Sequence, residues 1–196
     1  MRLDEVDICN EAIGLAGSTD WIQALTDASV SARRCNRFFS GAVERVLSRH
    51  DWHCASEVRQ LAENTTTPKA TYANAYTLPN DCVRVISVYP DDYGYTPYSR
   101  WEMLGRNIET DLETVYLRFV KFPEDYRALD IMLSSAISYE LAVLLAPSLL
   151  KDKEMYALLK QASKVALAEA KAMDTLQNKQ LFEENDVYED HRIAMV

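Results

Sequence analysis

The chain has 196 residues and carries 30 Asp and Glu against 21 Lys and Arg, a formal net charge of −9. Such a surface repels a phosphate backbone over most of its area, which disfavours a general nucleic-acid binder and leaves room only for a local basic patch. With 48% of its residues apolar it has core enough for one domain, or one domain with an insertion, and disorder over its whole length is excluded.

Residues 4–16 are expected to form a short helix, with Asp4 as N-cap and with Val6, Cys9, Ile13 and Ala16 on one face. Gly17 ends it. Trp21 falls in the connection that follows. Residues 28–49 read as an amphipathic helix capped by Asp27 or Ser29. Ala32, Cys35, Phe39, Ala42, Val43 and Val46 recur at helical spacing on its inner side. Its other side is basic, because 31–49 holds five Arg and one Glu.

From Trp52 the pattern turns strand-like. Strands are expected within Trp52–Ala62, over Tyr72–Leu78 with Tyr72, Tyr76 and Leu78 on one face, over Cys82–Tyr89, and in shorter form over Trp101–Leu104 and Glu113–Phe119. Helix returns at Pro123, with Glu124 and Asp125 favoured by the dipole of its first turn, and is expected to stop at Pro147. A last helix starts near Leu150. Met155, Leu158, Leu159, Ala162, Val165, Ala166, Met173 and Leu176 mark its expected buried stripe. The acidic tail from Gln177 is expected to be extended or disordered alone.

The fold class read from this order is α+β, mainly α: a bundle of about four helices over 1–51 and 122–176, a β-rich insertion over 52–121 between the helix pairs, and an acidic tail over 177–196. Between Ile131 and Leu150 the only formal charge is Glu140. The serines, Tyr139 and Pro147 within that stretch point to a central buried helix and not to a membrane span. Met1 to Glu5 lack the basic flank and apolar run of a signal peptide. Cys9, Cys35, Cys54 and Cys82 form no C-x-x-C pair and are read as reduced, small hydrophobes.

Chemistry-bearing patterns are sparse. His50, Asp51, His53 and Cys54 bring metal-ligand types together, but they straddle a helix end and a strand start, so their side chains should diverge. Glu124–Asp125 and Asp91–Asp92 are carboxylate neighbours of a kind common without catalysis. The five glycines are scattered, and no phosphate loop or nucleophile elbow occurs. No catalytic residue, metal site or cofactor is therefore assigned.

Three surface patterns suggest partners instead. Arg33, Arg37 and Arg45 share a helix face and are candidates for a lateral subunit interface, since the planar guanidinium suits interfaces. Lys153, Lys160, Lys164 and Lys171 line one face of the last helix. They suit a solvated face, contact with DNA in a channel, or an acidic neighbour. Tyr93, Tyr95 and Tyr98 sit in a Tyr-rich loop suited to contact with a partner.

Several strings in order carry a resemblance. Ala42 to His53 give a helix, then Asp51-Trp52, then a strand. Tyr76-Thr77-Leu78-Pro79-Asn80-Asp81 leads into Cys82-Val83-Arg84-Val85. Ile108-Glu109-Thr110 precedes Val115 to Val120, and Phe122-Pro123 opens the next helical region. This series is similar to the tail tubular protein A family, the head-to-tail adaptors of short-tailed bacteriophages, over residues 1 to about 180. The resemblance implies a helical bundle with a β-rich insertion and a dodecameric homo-oligomeric ring docked beneath the phage portal protein. The tail nozzle protein would be attached below, and DNA would pass through the lumen without sequence-specific binding. It implies no enzymatic activity and no cofactor, and a place in the neck of the virion after assembly in the host cytoplasm. By analogy the last helix and tail would grip the portal, and the Tyr93–Tyr98 loop would meet the nozzle. A head-completion connector of a long-tailed phage, a tail-associated cell-wall hydrolase and a helical binding module unrelated to phage are the alternatives.

Overall fold

The computed structural model describes residues 2–65, 71–92, 96–149 and 153–193, with 148–149 and 178–193 as backbone only. It is α+β with helices predominating: four α-helices and two small antiparallel sheets of three strands among the described residues. The chain divides into two compact units. The first combines residues 1–46, 52–54 and 125–196, and the second combines 47–51 and 55–124.

In the first unit, α1 spans Glu5–Leu15. Asp4 caps it by accepting from the amides of Val6 and Asp7, while the Asp7 carboxylate accepts from the Asp4 amide. Three amide donors that a helix start leaves unpaired are thereby satisfied. At the far end Gly17 takes φ +73°, and the Ser18 amide reaches back to the Ile13 carbonyl. That is a Schellman stop, which needs the left-handed backbone that glycine adopts without a Cβ clash. Helix α2 spans Val30–Leu47. Of its two candidate caps Ser29 does the work, accepting from the Ala32 amide. Asp27 instead accepts from the amides of Gln23 and Ala24 and shapes the preceding loop.

The third helix differs from expectation. Its start at Pro123 is replaced by a 3-10 turn over Tyr126–Ala128, and α3 proper spans Ile131–Leu149. Asp125 caps the short turn, Leu129 is extended and buried, and Asp130 caps α3 through the Met132 amide. Two aspartates that bond locally to the backbone divide the segment where composition alone suggested continuity. Pro147 lies inside α3 and does not stop it. In the last turn its ring removes at most one backbone bond, so the helix tolerates it there. Helix α4 spans Lys153–Ile193, so residues 177–193, expected to be extended or disordered alone, are helical in backbone. Its Gln, Lys, Leu and Glu residues are good helix formers.

α1 and α4 both pack on α3. The interior of this unit is formed by Ile8, Cys9, Ala12 and Ile13 of α1, Ala32, Cys35, Phe39, Ala42, Val43 and Val46 of α2, and Leu133, Ile137, Leu141 and Leu145 of α3. Phe39 meets Tyr126 edge to face with centroids 5.0 Å apart. Glu11 on α1 accepts from the hydroxyls of Ser135 and Ser138 on α3 at 3.1 and 2.8 Å. Two polar positions of this otherwise apolar helix are thereby satisfied inside the protein, while the buried Ser134 hydroxyl has no partner among the described residues. No described helix is long and apolar enough to cross a membrane.

In the second unit, β1 (Ser56–Gln60), β6 (Tyr116–Lys121) and β3 (Cys82–Tyr89) form one sheet in the order β1-β6-β3. β2 (Asn74–Thr77), β5 (Asn107–Thr110) and β4 (Trp101–Leu104) form the other in the order β2-β5-β4. β5 is a central strand that was not foreseen. It carries Asn107 and a fully buried Glu109, so it lacks the apolar alternation of a strand. The signal was the two-residue turn Gly105–Arg106, where Gly105 at φ +61° makes the tight β4–β5 hairpin. Both sheets share a core of Leu61, Tyr76, Leu78, Val88, Ile108, Val115, Leu117 and Phe119.

Candidate interaction surfaces

α4 has three faces, and together they make the main candidate site. The buried face is Leu159, Ser163, Ala170 and Asp174. The Ser163 hydroxyl bonds to Glu140 of α3 at 3.4 Å, and the Asp174 carboxylate accepts from the His53 amide at 3.0 Å. Small and polar residues let α4 lie close along α3 and dock through hydrogen bonds where bulky side chains would hold it off.

The stripe expected to be buried is largely uncovered. Met155 is 49% exposed, Leu158 65%, Val165 47%, Met173 43% and Leu176 58%. Only Leu159 of that set is buried, with Ala162 and Ala166 intermediate. The amphipathic spacing does form a helix, but its apolar stripe is largely exposed and not buried. At about 100° per residue, the uncovered row is turned roughly 110° from the face on α3. Met155, Leu158, Ala162, Val165, Glu169, Ala172 and Leu176 follow one another at alternating steps of three and four residues. That spacing is the a/d repeat of a helix seam made for another helix.

Lys153, Lys160 and Lys164 are exposed and Lys171 is half-buried. By the same geometry their row is roughly 150° from the apolar seam. The two rows thus address different surroundings, and the lysines do not fringe the seam.

α2 offers a complementary face. Arg33 and Arg37 are exposed and Arg34 is half-buried. Arg33 donates to the Ala28 carbonyl at 2.6 Å, and Arg37 stands 5.7 Å from the ring centroid of Phe38. Arg45 reaches the nearly buried Glu140 of α3 at 3.6 Å, so its charge is partly spent inside the unit. Tyr98 is half-buried, and its amide donates to the Val88 carbonyl at 2.8 Å. Tyr93 and Tyr95 lie outside the described residues.

The patterns weighed for chemistry do not converge. Glu124 is an exposed side chain 3.6 Å from Lys121, and Asp125 is committed to capping the 3-10 turn. Asp51 is paired with Arg84 at 2.7 Å. Among the described residues no three His, Cys, Asp or Glu side chains are grouped to hold a metal. The Cys9 and Cys35 thiols are buried against each other, and hydrogen bonding from Cys35 with burial pushes the Cys9 thiol far up. Partial burial likewise raises the Cys82 thiol, so it is not activated as a thiolate, and Cys54 is exposed. The second unit has a groove of about 480 Å³ lined by residues that include Cys82, Val85, Trp101, Met103 and Arg106. Arg106 there donates to the Pro79 carbonyl at 2.6 Å.

No family model matches the chain, and no curated protein matches it.

Proposed function

We propose that this chain is a structural head-to-tail adaptor of a short-tailed phage, a ring subunit between the portal and the tail nozzle through which DNA passes during ejection. The observation that carries the reading is the uncovered apolar seam on α4. A row of exposed apolar residues of this length, interrupted only at Glu169, marks a protein contact, whereas isolated exposed apolar residues need no explanation. The ordered strings around Asp51-Trp52, Leu78-Pro79 and Phe122-Pro123 support the phage setting. The acidic charge supports a conduit that lets DNA slide without holding it.

Light scattering on the protein alone, and then mixed with portal protein of the same phage, tests this. A large complex of defined mass in the mixture is the expected result. A chain that stays monomeric beside the portal would remove the adaptor reading.

A further inference from the structure

The structure shows an open seam on α4. We infer that a second copy of the chain covers it, using the outward face of its α2 helix. The inference rests on the ring reading above, and it names the two surfaces that meet.

Four observations carry it. First, the a/d spacing of Met155, Leu158, Ala162, Val165, Glu169, Ala172 and Leu176 calls for a helix as the covering element. Second, the seam holds one charge near its middle, Glu169, which is exposed and has no side-chain partner among the described residues. Two α4 seams facing each other in parallel would set Glu169 against its own copy. In antiparallel pairing each Glu169 would meet an apolar stretch. Either arrangement buries a carboxylate unpaired, which is costly.

Third, α2 presents a row of matching period: Val30, Arg34, Arg37 and Gly41, at steps of four, three and four. Val30 is 48% exposed, Arg37 is exposed, and neither Arg34 nor Arg37 has a carboxylate partner among the described residues. These guanidinium groups supply the charge that Glu169 lacks. Their aliphatic stems cover apolar surface while the heads stay wet. Fourth, a Cβ built on Gly41 would meet nothing within 4 Å, so the α2 surface is open there to a bulky side chain such as Leu158 or Val165.

Both surfaces belong to the helical unit of every copy. The contact joins two different surfaces, so it either propagates from copy to copy until a ring closes, as the ring reading requires, or closes reciprocally between two copies. One helix pair is smaller than a standard stable interface, so the free protein should associate weakly, and more firmly where each copy makes two contacts.

The test is sedimentation equilibrium of the full chain from about 10 μM to 1 mM, in 0.15 M salt. Wild type is expected to gain mass with concentration. The charge reversals R34E/R37E and E169R are each expected to weaken association at least tenfold, with unchanged circular dichroism. An equimolar mixture of the two variants restores the opposite charges at every contact, so its association should return to within about threefold of wild type. A variant that failed to fold could not be rescued in this way. If wild type associates but the reversals have no effect, or the mixture shows no rescue, the α4–α2 pairing is wrong while the adaptor reading stands. A wild type that is monomeric at 1 mM also overturns the pairing. The portal-mixing experiment then decides the adaptor reading separately.

Discussion

Leu158 and Leu159 are neighbours on α4 with opposite surroundings, so truncating each to alanine separates fold from surface. Leu159 is 6% exposed and Leu158 is 65% exposed. Removing a buried leucine side chain costs its transfer energy plus the cavity left behind, about 2–4 kcal/mol for Leu159→Ala. For Leu158→Ala roughly a third of the side chain leaves contact and no cavity forms. At about 0.8 kcal/mol per methylene the loss is at most about 1 kcal/mol. For a chain of this size 1 kcal/mol moves the melting temperature by about 2–4 °C. Thermal unfolding followed by circular dichroism should therefore show a shift of roughly 4–16 °C for Leu159→Ala and no more than about 4 °C for Leu158→Ala. Self-association should follow the opposite order, falling for Leu158→Ala at protein concentrations where both variants are folded. Equal destabilisation by the two substitutions would refute the assignment of α4 faces, and with it the open seam.

Two further outcomes are expected. The amide of Asp7, and then Arg127 at 3.0 Å, hold the Asp4 carboxyl below the usual carboxylate range. A lowered folded pKa contributes stability that is present above the unfolded value of about 3.9 and is lost as pH falls through the folded value. Asp4→Asn keeps a good capping side chain but cannot titrate, so its melting temperature should change less than that of wild type as pH is lowered from about 5 to 2, and parallel curves would contradict the capping role. Gly105→Ala places a side chain at φ +61° and should cost about 1 kcal/mol by strain alone, because its Cβ meets nothing within 4 Å. A neutral result in urea unfolding would mean that the β4–β5 turn is built differently.

Local chemistry was legible wherever a residue acts on its own neighbours. Asp4 and Gly17 bracket α1 as their side-chain chemistry requires, and Ser29 starts α2. The α2 core row of Ala32, Cys35, Phe39, Ala42, Val43 and Val46 is buried as its spacing predicted. Legibility failed where local signals competed. Pro123 and the acidic pair after it resembled a helix start, but the backbone bonds of Asp125 and Asp130 divided the segment. β5 was missed because Ile108 is its one apolar residue, so no apolar alternation marks it as a strand.

For the candidate surfaces the division is sharper. The amino-acid sequence by itself determined that the last segment is helical, that its apolar residues form a row, and that its lysines and the α2 arginines form separate rows. Only the tertiary structure decided which row α3 covers. It chose the side with Leu159, Ser163, Ala170 and Asp174, and left the more apolar side open. Periodicity records that a face is apolar, but burial is a property of two surfaces. The surface that covers a seam can belong to another copy, where no pattern within one chain marks it.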